Sequence, residues 1–233
     1  MERKNSFRLQ AGTTNHEVRY VYGNDVRVRY HENDKLINNA PKGLMMNIIL
    51  GSQSPRRREL MKGIDIPFTA VNIDADEHYP IDLTAGDIPM YISRAKARAY
   101  AKELSEDDLL ITADTIVWLD GQMLGKPHNE EQAKQMLRLL SGRTHQVYTG
   151  VTFLYKGQYE SFVDETNVTF KTLSENEIDY YVHAYKPLDK AGAYGVQEYI
   201  GYIGVTKLEG SYFNVMGFPI DQVYARLQTY LMR

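Results

Sequence analysis

From residue 46 onward, blocks of apolar positions change their period in a regular way. Asn47–Leu50 is a short apolar run of the kind that forms a buried strand. Ser54 followed by Pro55 is a helix start, and Gly63 stops that helix after about Lys62. Phe68–Ile73 reads as a second strand, and Pro89–Leu104 as a long alanine-containing helix, basic on one side. Leu109–Leu119 is a strongly apolar strand interrupted by Asp114. Glu130–Leu140 is an amphipathic helix closed by Ser141-Gly142. His145–Tyr155 and Tyr159–Thr172 read as long strands meeting at a Lys156-Gly157 hairpin; the glycosylation-like triplet Asn167-Val168-Thr169 falls inside the second. Ser174 opens a helix over Glu175–Tyr185, and the last helix runs from Phe218 to Leu231. The alternation predicts an α/β fold on a mixed sheet.

Residues 1–45 have another character. Val18–Tyr22 and Val26–Tyr30 alternate apolar and charged positions around Gly23-Asn24-Asp25, the pattern of a hairpin that could not be stable alone. A polar run from Asn33 to Gly43 follows. The expected organisation is an extension over 1–45 (a tag, an upstream extension or a mis-set start) and a core domain over 46–233.

The chain has 233 residues, 43% apolar and 24% charged, which is enough to bury a core and argues against disorder. A net charge of −3 argues against a general nucleic-acid binder. The absence of cysteine excludes disulfides, thiolate metal sites and cysteine nucleophiles, and fits a reducing compartment. No run of 18 apolar residues marks a membrane span, and Met1–Gln10 has no hydrophobic signal region.

Four segments could carry chemistry. Gly51-Ser52-Gln53-Ser54-Pro55-Arg56-Arg57-Arg58 runs from strand to helix N-terminus, where free backbone N–H groups, hydroxyls and arginine forks suit a phosphate. An ordinary capped surface helix with solvated arginines has the same residues. Asp114, within Ala113-Asp114-Thr115, is costly inside an apolar strand unless paired or bound to metal, which makes it a candidate metal ligand or general base. Gly125-Lys126-Pro127 is not a P-loop, because Pro stands where a magnesium-binding hydroxyl is needed, yet its lysine could reach a phosphate. Pro187–Gln197 has small residues that permit close backbone approach, and Gln197 could read a base edge. Asp74, Asp76 and Glu77 could add a second metal carboxylate or be a solvated acidic loop. His78, His128, His145 and His183 have no ligand spacing and read as structural or surface groups.

Eight segments in order resemble the Maf family of nucleotide pyrophosphatases. They are Leu50–Leu60, Ala95–Ala99, Ala113–Val117, Gly125–Pro127, Met136–Gly142, His145–Val151, Pro187–Gln197 and Gly210–Pro219. The resemblance covers residue 46 to the C-terminus; one departure is Gly51, where many members have Ala. It implies a strongly twisted mixed sheet flanked by helices, in two lobes with a deep cleft, related to inosine triphosphate pyrophosphatase. It further implies cleavage between the α and β phosphates with Mg²⁺, or Mn²⁺ or Co²⁺, in a cytoplasmic homodimer. By position, Asp114 corresponds to the proton acceptor, and Glu77 to the accompanying acidic residue, both near the metal. Ser52, Arg56, Arg57, Lys96 and Lys126 look like phosphate contacts, and Arg56, Thr115 and Gln197 fall where the family sets base specificity. Their combination resembles the dTTP and UTP branch, with modified pyrimidine nucleotides as further substrates in a housecleaning role.

Two other readings compete. A nucleotide-binding regulator of septum formation would share the fold, although the retained Asp114, Lys96 and Lys126 argue for a working enzyme. A nucleic-acid-binding module built on the N-terminal hairpin has only eight Lys/Arg against five acids there, a net +3, too little to persuade.

Overall fold

The computed structural model describes residues 46–232. The hairpin expected over 18–30 and the extension over 1–45 lie outside the described residues. The chain begins with β1 (Asn47–Gly51), which is paired in parallel with β2 (Thr69–Val71) on one side and β3 (Asp108–Leu119) on the other. Between β1 and β2 runs α1 (Pro55–Lys62), with Ser54 as N-cap accepting from the Arg57 N–H and Pro55 at the start, where a missing N–H costs nothing. β3 then pairs antiparallel with β5 (Thr144–Tyr155), β5 with β6 (Gln158–Phe170), and β6 with β7 (Val205–Glu209). The strand order is β2-β1-β3-β5-β6-β7, so the sheet is mixed, as the alternation predicted.

A seventh strand, β4 (Gln122–Leu124), turns back on the far end of β3. This divides one edge of β3. Asp108–Thr112 pairs with β1, and Val117–Leu119 pairs with β4. Ala113–Ile116 lies between, with no strand partner along that edge among the described residues, while its other edge stays bonded to β5. A gap in a sheet beside the carboxyl end of a parallel strand is where α/β folds admit ligands.

Helix α2 (Asp87–Tyr100, extended by a 3₁₀ turn to Glu103) crosses β3 and β5. Its approach depends on Gly150: a Cβ there would stand 2.3 Å from the Met90 backbone nitrogen. Buried hydroxyls fix it, since the Thr112 hydroxyl donates to the Ser93 carbonyl at 2.7 Å and Ser93 meets Thr152 at 2.9 Å.

Two main cores flank the gap. One joins β1 and the near half of β3 to α1 and to α7 (Ile220–Leu231), around Leu50, Met61, Phe153 and Phe218. The other joins the far half of β3 and parts of β5 and β6 to α3 (Glu130–Leu140) and α4 (Glu175–Tyr185). The apolar face of α3, Ala133, Met136, Leu137 and Leu140, is buried there; its larger side chains contribute about 1.5–3 kcal/mol each. α4 carries the full reciprocal cap, Ser174 with Glu177.

The last helix starts at Ile220, two residues after the position expected, because Pro219 disfavours helical backbone at Phe218. Four elements carried no readable signal: β4, β7, α5 (Tyr199–Gly204) and α6 (Tyr212–Val215). α5 needs Gly201, where a Cβ would sit 2.1 Å from the Val196 carbonyl oxygen, so its glycines reflect packing that the local pattern hides.

Candidate active site

The gap in β3 opens into a cleft of about 1060 Å³, and all nine expected site residues (Ser52, Arg56, Arg57, Glu77, Lys96, Asp114, Thr115, Lys126 and Gln197) line it. The two-residue period of β3 sorts them. Thr112, Asp114 and Ile116 face α2, where Ser93 and Ile92 receive Thr112 and Ile116. Lys96, one turn beyond Ser93, therefore reaches Asp114. Ala113 and Thr115 present to the opposite face, toward α1.

On the α2 face, the Lys96 ammonium lies 2.7 Å from Asp114 Oδ1 and 2.8 Å from Glu77 Oε1. The Lys96 and Asp114 side chains are only 14% and 15% exposed, so their pairing is poorly screened by water. Burial works against the charged form of Glu77, but Lys96, with lesser help from Lys126 and Arg57, holds its carboxyl below the usual value. Lys126 lies exposed in the loop after β4 and makes no ion pair among the described residues. The loop that bears it is tied across the cleft: Gly192 N–H donates to the Gly125 carbonyl at 3.1 Å.

On the α1 face, the three consecutive arginines have three different tasks. Arg58 forks onto the Ser52 carbonyl at 3.0 and 2.8 Å and reaches Asn72 at 2.9 Å, which holds the β1–α1 loop in shape. Arg57 is a strut. It donates to the Gly217 carbonyl at 2.7 Å, the unpaired-edge carbonyl of Ala113 at 2.8 Å and the Thr115 hydroxyl at 3.0 Å. Burial pulls its basicity below the ordinary value while Asp114 pushes the other way. Only Arg56 turns across the cleft, to Asp189 at 2.9 Å. Ser52 is buried, and its hydroxyl accepts from Ser54 N–H at 3.2 Å. The start of α1 lines the same space, and its positive end suits an anion.

Thr115 and Gln197 differ in what they leave free. The Thr115 hydroxyl contacts Thr149 at 2.9 Å, Gly217 O at 3.3 Å and Arg57, so the protein already occupies it. Gln197 Oε1 is buried and has no hydrogen-bond partner. An acceptor left unpaired costs about 1–3 kcal/mol.

No group of three His, Asp or Glu that could hold a metal occurs among the described residues. Asp114 and Glu77 nevertheless converge on one cation, Lys96. Two carboxylates beside a space for phosphates fit a hard divalent ion, which takes one or two protein oxygens and the rest from substrate and water.

The arrangement also contains residues that the linear pattern did not single out. Asp189 holds Arg56, and Lys190 is buried at 7% exposure beside Asp189 and Glu198. Their signal was a charged pair set among small residues, Leu188-Asp189-Lys190-Ala191-Gly192, which a surface turn also shows. Of the histidines, His145 is fully buried, its Nε2 2.7 Å from the Tyr194 hydroxyl, and burial lowers it to about 4.

A cleft of this construction, at a gap in a mixed sheet and lined with carboxylates, lysines and a helix N-terminus, is that of a phosphate-handling α/β protein. A family model described as Maf-like protein matches residues 47–230, and the chain belongs to that family. Proteins of Phocaeicola vulgatus and Bacteroides thetaiotaomicron, both named dTTP/UTP pyrophosphatase, are each 54% identical over 182 residues, covering 78% of this chain and 94% of their own. Among solved structures, that of the Staphylococcus aureus Ham1 protein is similar at 16% identity with a TM-score of 0.47, covering 79% of this chain and 99% of its own.

Proposed function

We propose that this chain hydrolyses the bond between the α and β phosphates of dTTP, UTP and modified pyrimidine nucleotides. The products are the nucleoside monophosphate and pyrophosphate, and the role is to clear such nucleotides from the pool. Membership of the Maf family and relatives named dTTP/UTP pyrophosphatase at 54% identity support this reading. The single structural observation that carries it is the Glu77–Lys96–Asp114 bridge in the same cleft as the N-terminus of α1.

In the reaction, water attacks the α phosphorus in line and pyrophosphate departs. Negative charge grows on the leaving group. Lys96, Lys126, Arg56 and the positive end of α1 supply positive charge where it grows. Asp114, the less exposed of the two carboxylates, orients the water and takes its proton. Glu77 keeps Lys96 in place while the triphosphate is absent. A bound Mg²⁺, Mn²⁺ or Co²⁺ would be held by Asp114 and Glu77 and would neutralise phosphate charge and acidify water. Arg56, Thr115 and Gln197, the positions tied to base specificity by the family resemblance, border the same cleft. On the family resemblance, the protein is further proposed to be a cytoplasmic homodimer; no helix among the described residues is long and apolar enough to cross a membrane.

The test is pyrophosphate release from UTP, dTTP, 5-methyl-UTP, pseudo-UTP and 7-methyl-GTP, each with Mg²⁺ or Mn²⁺ and with EDTA. Metal-dependent release from the pyrimidine nucleotides is expected. Release from 7-methyl-GTP alone would keep the reaction but refute the assignment of the base, and no release from any of them would refute the enzyme.

A further inference from the structure

The first turn of α1 is charged against its own dipole. It carries Arg56, Arg57 and Arg58 and no acidic residue, at the end of a helix that favours anions over cations. Arg57 is held by Gly217 O, Ala113 O and Thr115, and Arg58 by Ser52 O and Asn72. Arg56 is the one of the three that bonds a carboxylate among the described residues. It donates to Asp189 Oδ2 at 2.9 Å, across 133 positions of sequence. Both partners border the cleft.

The two partners are held unequally. Asp189 stands in a turn closed by Lys190 N–H to Pro187 O at 3.3 Å, and its other oxygen takes Lys190 Nζ at 2.7 Å. Lys190, whose side chain is 9% exposed, has a second carboxylate in Glu198 Oε1 at 3.2 Å. Arg56 reaches Asp189 through one N–H to one oxygen, and the two side chains are 24% and 58% exposed. A single-pronged pair in contact with water is weak, whereas a guanidinium meets a phosphate with two parallel N–H groups. When Arg56 leaves, no buried charge is stranded: Asp189 keeps Lys190, and Lys190 keeps Glu198. Burial works against the charged form of Asp189, but Lys190 and then Arg56 hold its carboxyl below the ordinary value, so the free cleft contains an anion opposite α1.

We propose that Asp189 is a positioning residue that stands in for a phosphate: it holds Arg56 across the free cleft and yields it to the incoming triphosphate, which must displace the carboxylate to bind. The inference rests on the triphosphate reading and adds a competitor for Arg56 that the chain supplies itself. Asp189 keeps Arg56 from collapsing onto solvent or onto its neighbours while the cleft is free. It also weakens the hold on the triphosphate and on the pyrophosphate product alike, because Arg56 returns to it as either one departs.

The test measures dissociation constants by calorimetry, with Mg²⁺, for two ligands: pyrophosphate, and UTP with a methylene in place of the oxygen that bridges the α and β phosphates. The proteins are the wild-type chain, Asp189→Asn, Arg56→Ala and the double variant. Asp189→Asn keeps the size of the side chain and leaves Lys190 paired with Glu198; Asp189→Ala serves if it does not fold. The strength of an exposed ion pair sets the size of the effect, so both ligands should bind about two- to fivefold more tightly to Asp189→Asn. A gain in affinity is not a result that damage to the fold produces. In the Arg56→Ala background, adding Asp189→Asn should change neither constant. Unchanged or weaker binding to Asp189→Asn would overturn the proposal, weaker binding because Asp189 would then orient Arg56 onto the phosphates. An equal gain without Arg56 would also overturn it, since Asp189 would then act by repelling phosphate directly. Those results leave the triphosphate reading standing, whereas a wild-type chain that binds neither ligand refutes that reading and the inference together.

Discussion

Replacing Arg57 by methionine separates a strut from a substrate contact. The family resemblance casts Arg57 as a phosphate contact, whereas its guanidinium makes three hydrogen bonds inside the protein, to Gly217 O, Ala113 O and Thr115 Oγ1. Hydrogen bonds from a charged donor contribute about 1.5–3 kcal/mol each, a gross loss of roughly 5–9 kcal/mol. Two effects offset this. The variant no longer buries a cation, which costs several kcal/mol, and water in the open cleft can reach the released carbonyls. The net expectation is a destabilisation of about 2–4 kcal/mol, and for a domain of this size a Tm lower by roughly 5–15 °C. Methionine retains the apolar stem, so lost packing contributes little. The assay is thermal unfolding without nucleotide or metal, beside steady-state kinetics at a temperature where both proteins are folded. An unchanged Tm with KM for UTP raised tenfold or more would refute the strut and make Arg57 a substrate ligand.

Other perturbations test other parts of the structure. Asp114→Asn keeps size and should lower kcat by at least about a hundredfold with circular dichroism unchanged; near-normal turnover would remove Asp114 from its proposed role. Gly150→Ala puts a methyl group 2.3 Å from the Met90 backbone nitrogen and should destabilise by more than about 3 kcal/mol, measured by urea unfolding; a loss under about 1 kcal/mol would mean α2 is not seated on Gly150. His145 is lowered by burial from 6.5 to about 4. Between those values the unfolded chain binds a proton that the folded chain refuses, so stability rises with pH through this window and is lost as pH falls below 6.5. The loss between pH 7 and pH 5 is about 2 kcal/mol and should be absent from that difference in His145→Asn; identical pH dependence in both proteins would contradict a buried neutral imidazole.

Much of the framework is readable along the chain because of how particular residues are buried. β1 and β3 lie inside a sheet covered on both faces, so they appear as continuous apolar runs. α1, α3 and α4 begin at Ser54, Asn129 and Ser174, whose side chains accept helix N–H groups. β7 is a partly exposed edge strand and α5 a six-residue helix with two glycines, so neither has a local pattern of its own. In the cleft, Asp114 is conspicuous because a carboxylate within an apolar strand demands a reason. Arg56, Arg57 and Arg58 look alike in sequence. Their separate tasks depend on Asp189, Gly217 and Ser52, partners as much as 160 positions distant. Lys190 and Glu198 give no local sign that they pair with each other, or Glu198 with Tyr181.

The proposed reaction places the attack of water at the α phosphorus, beside Asp114, and that claim can be read directly from isotope position. UTP turned over with Mg²⁺ in ¹⁸O-water should yield uridine monophosphate carrying one ¹⁸O and pyrophosphate carrying none. Label in the pyrophosphate, or orthophosphate as the released product, would contradict the account.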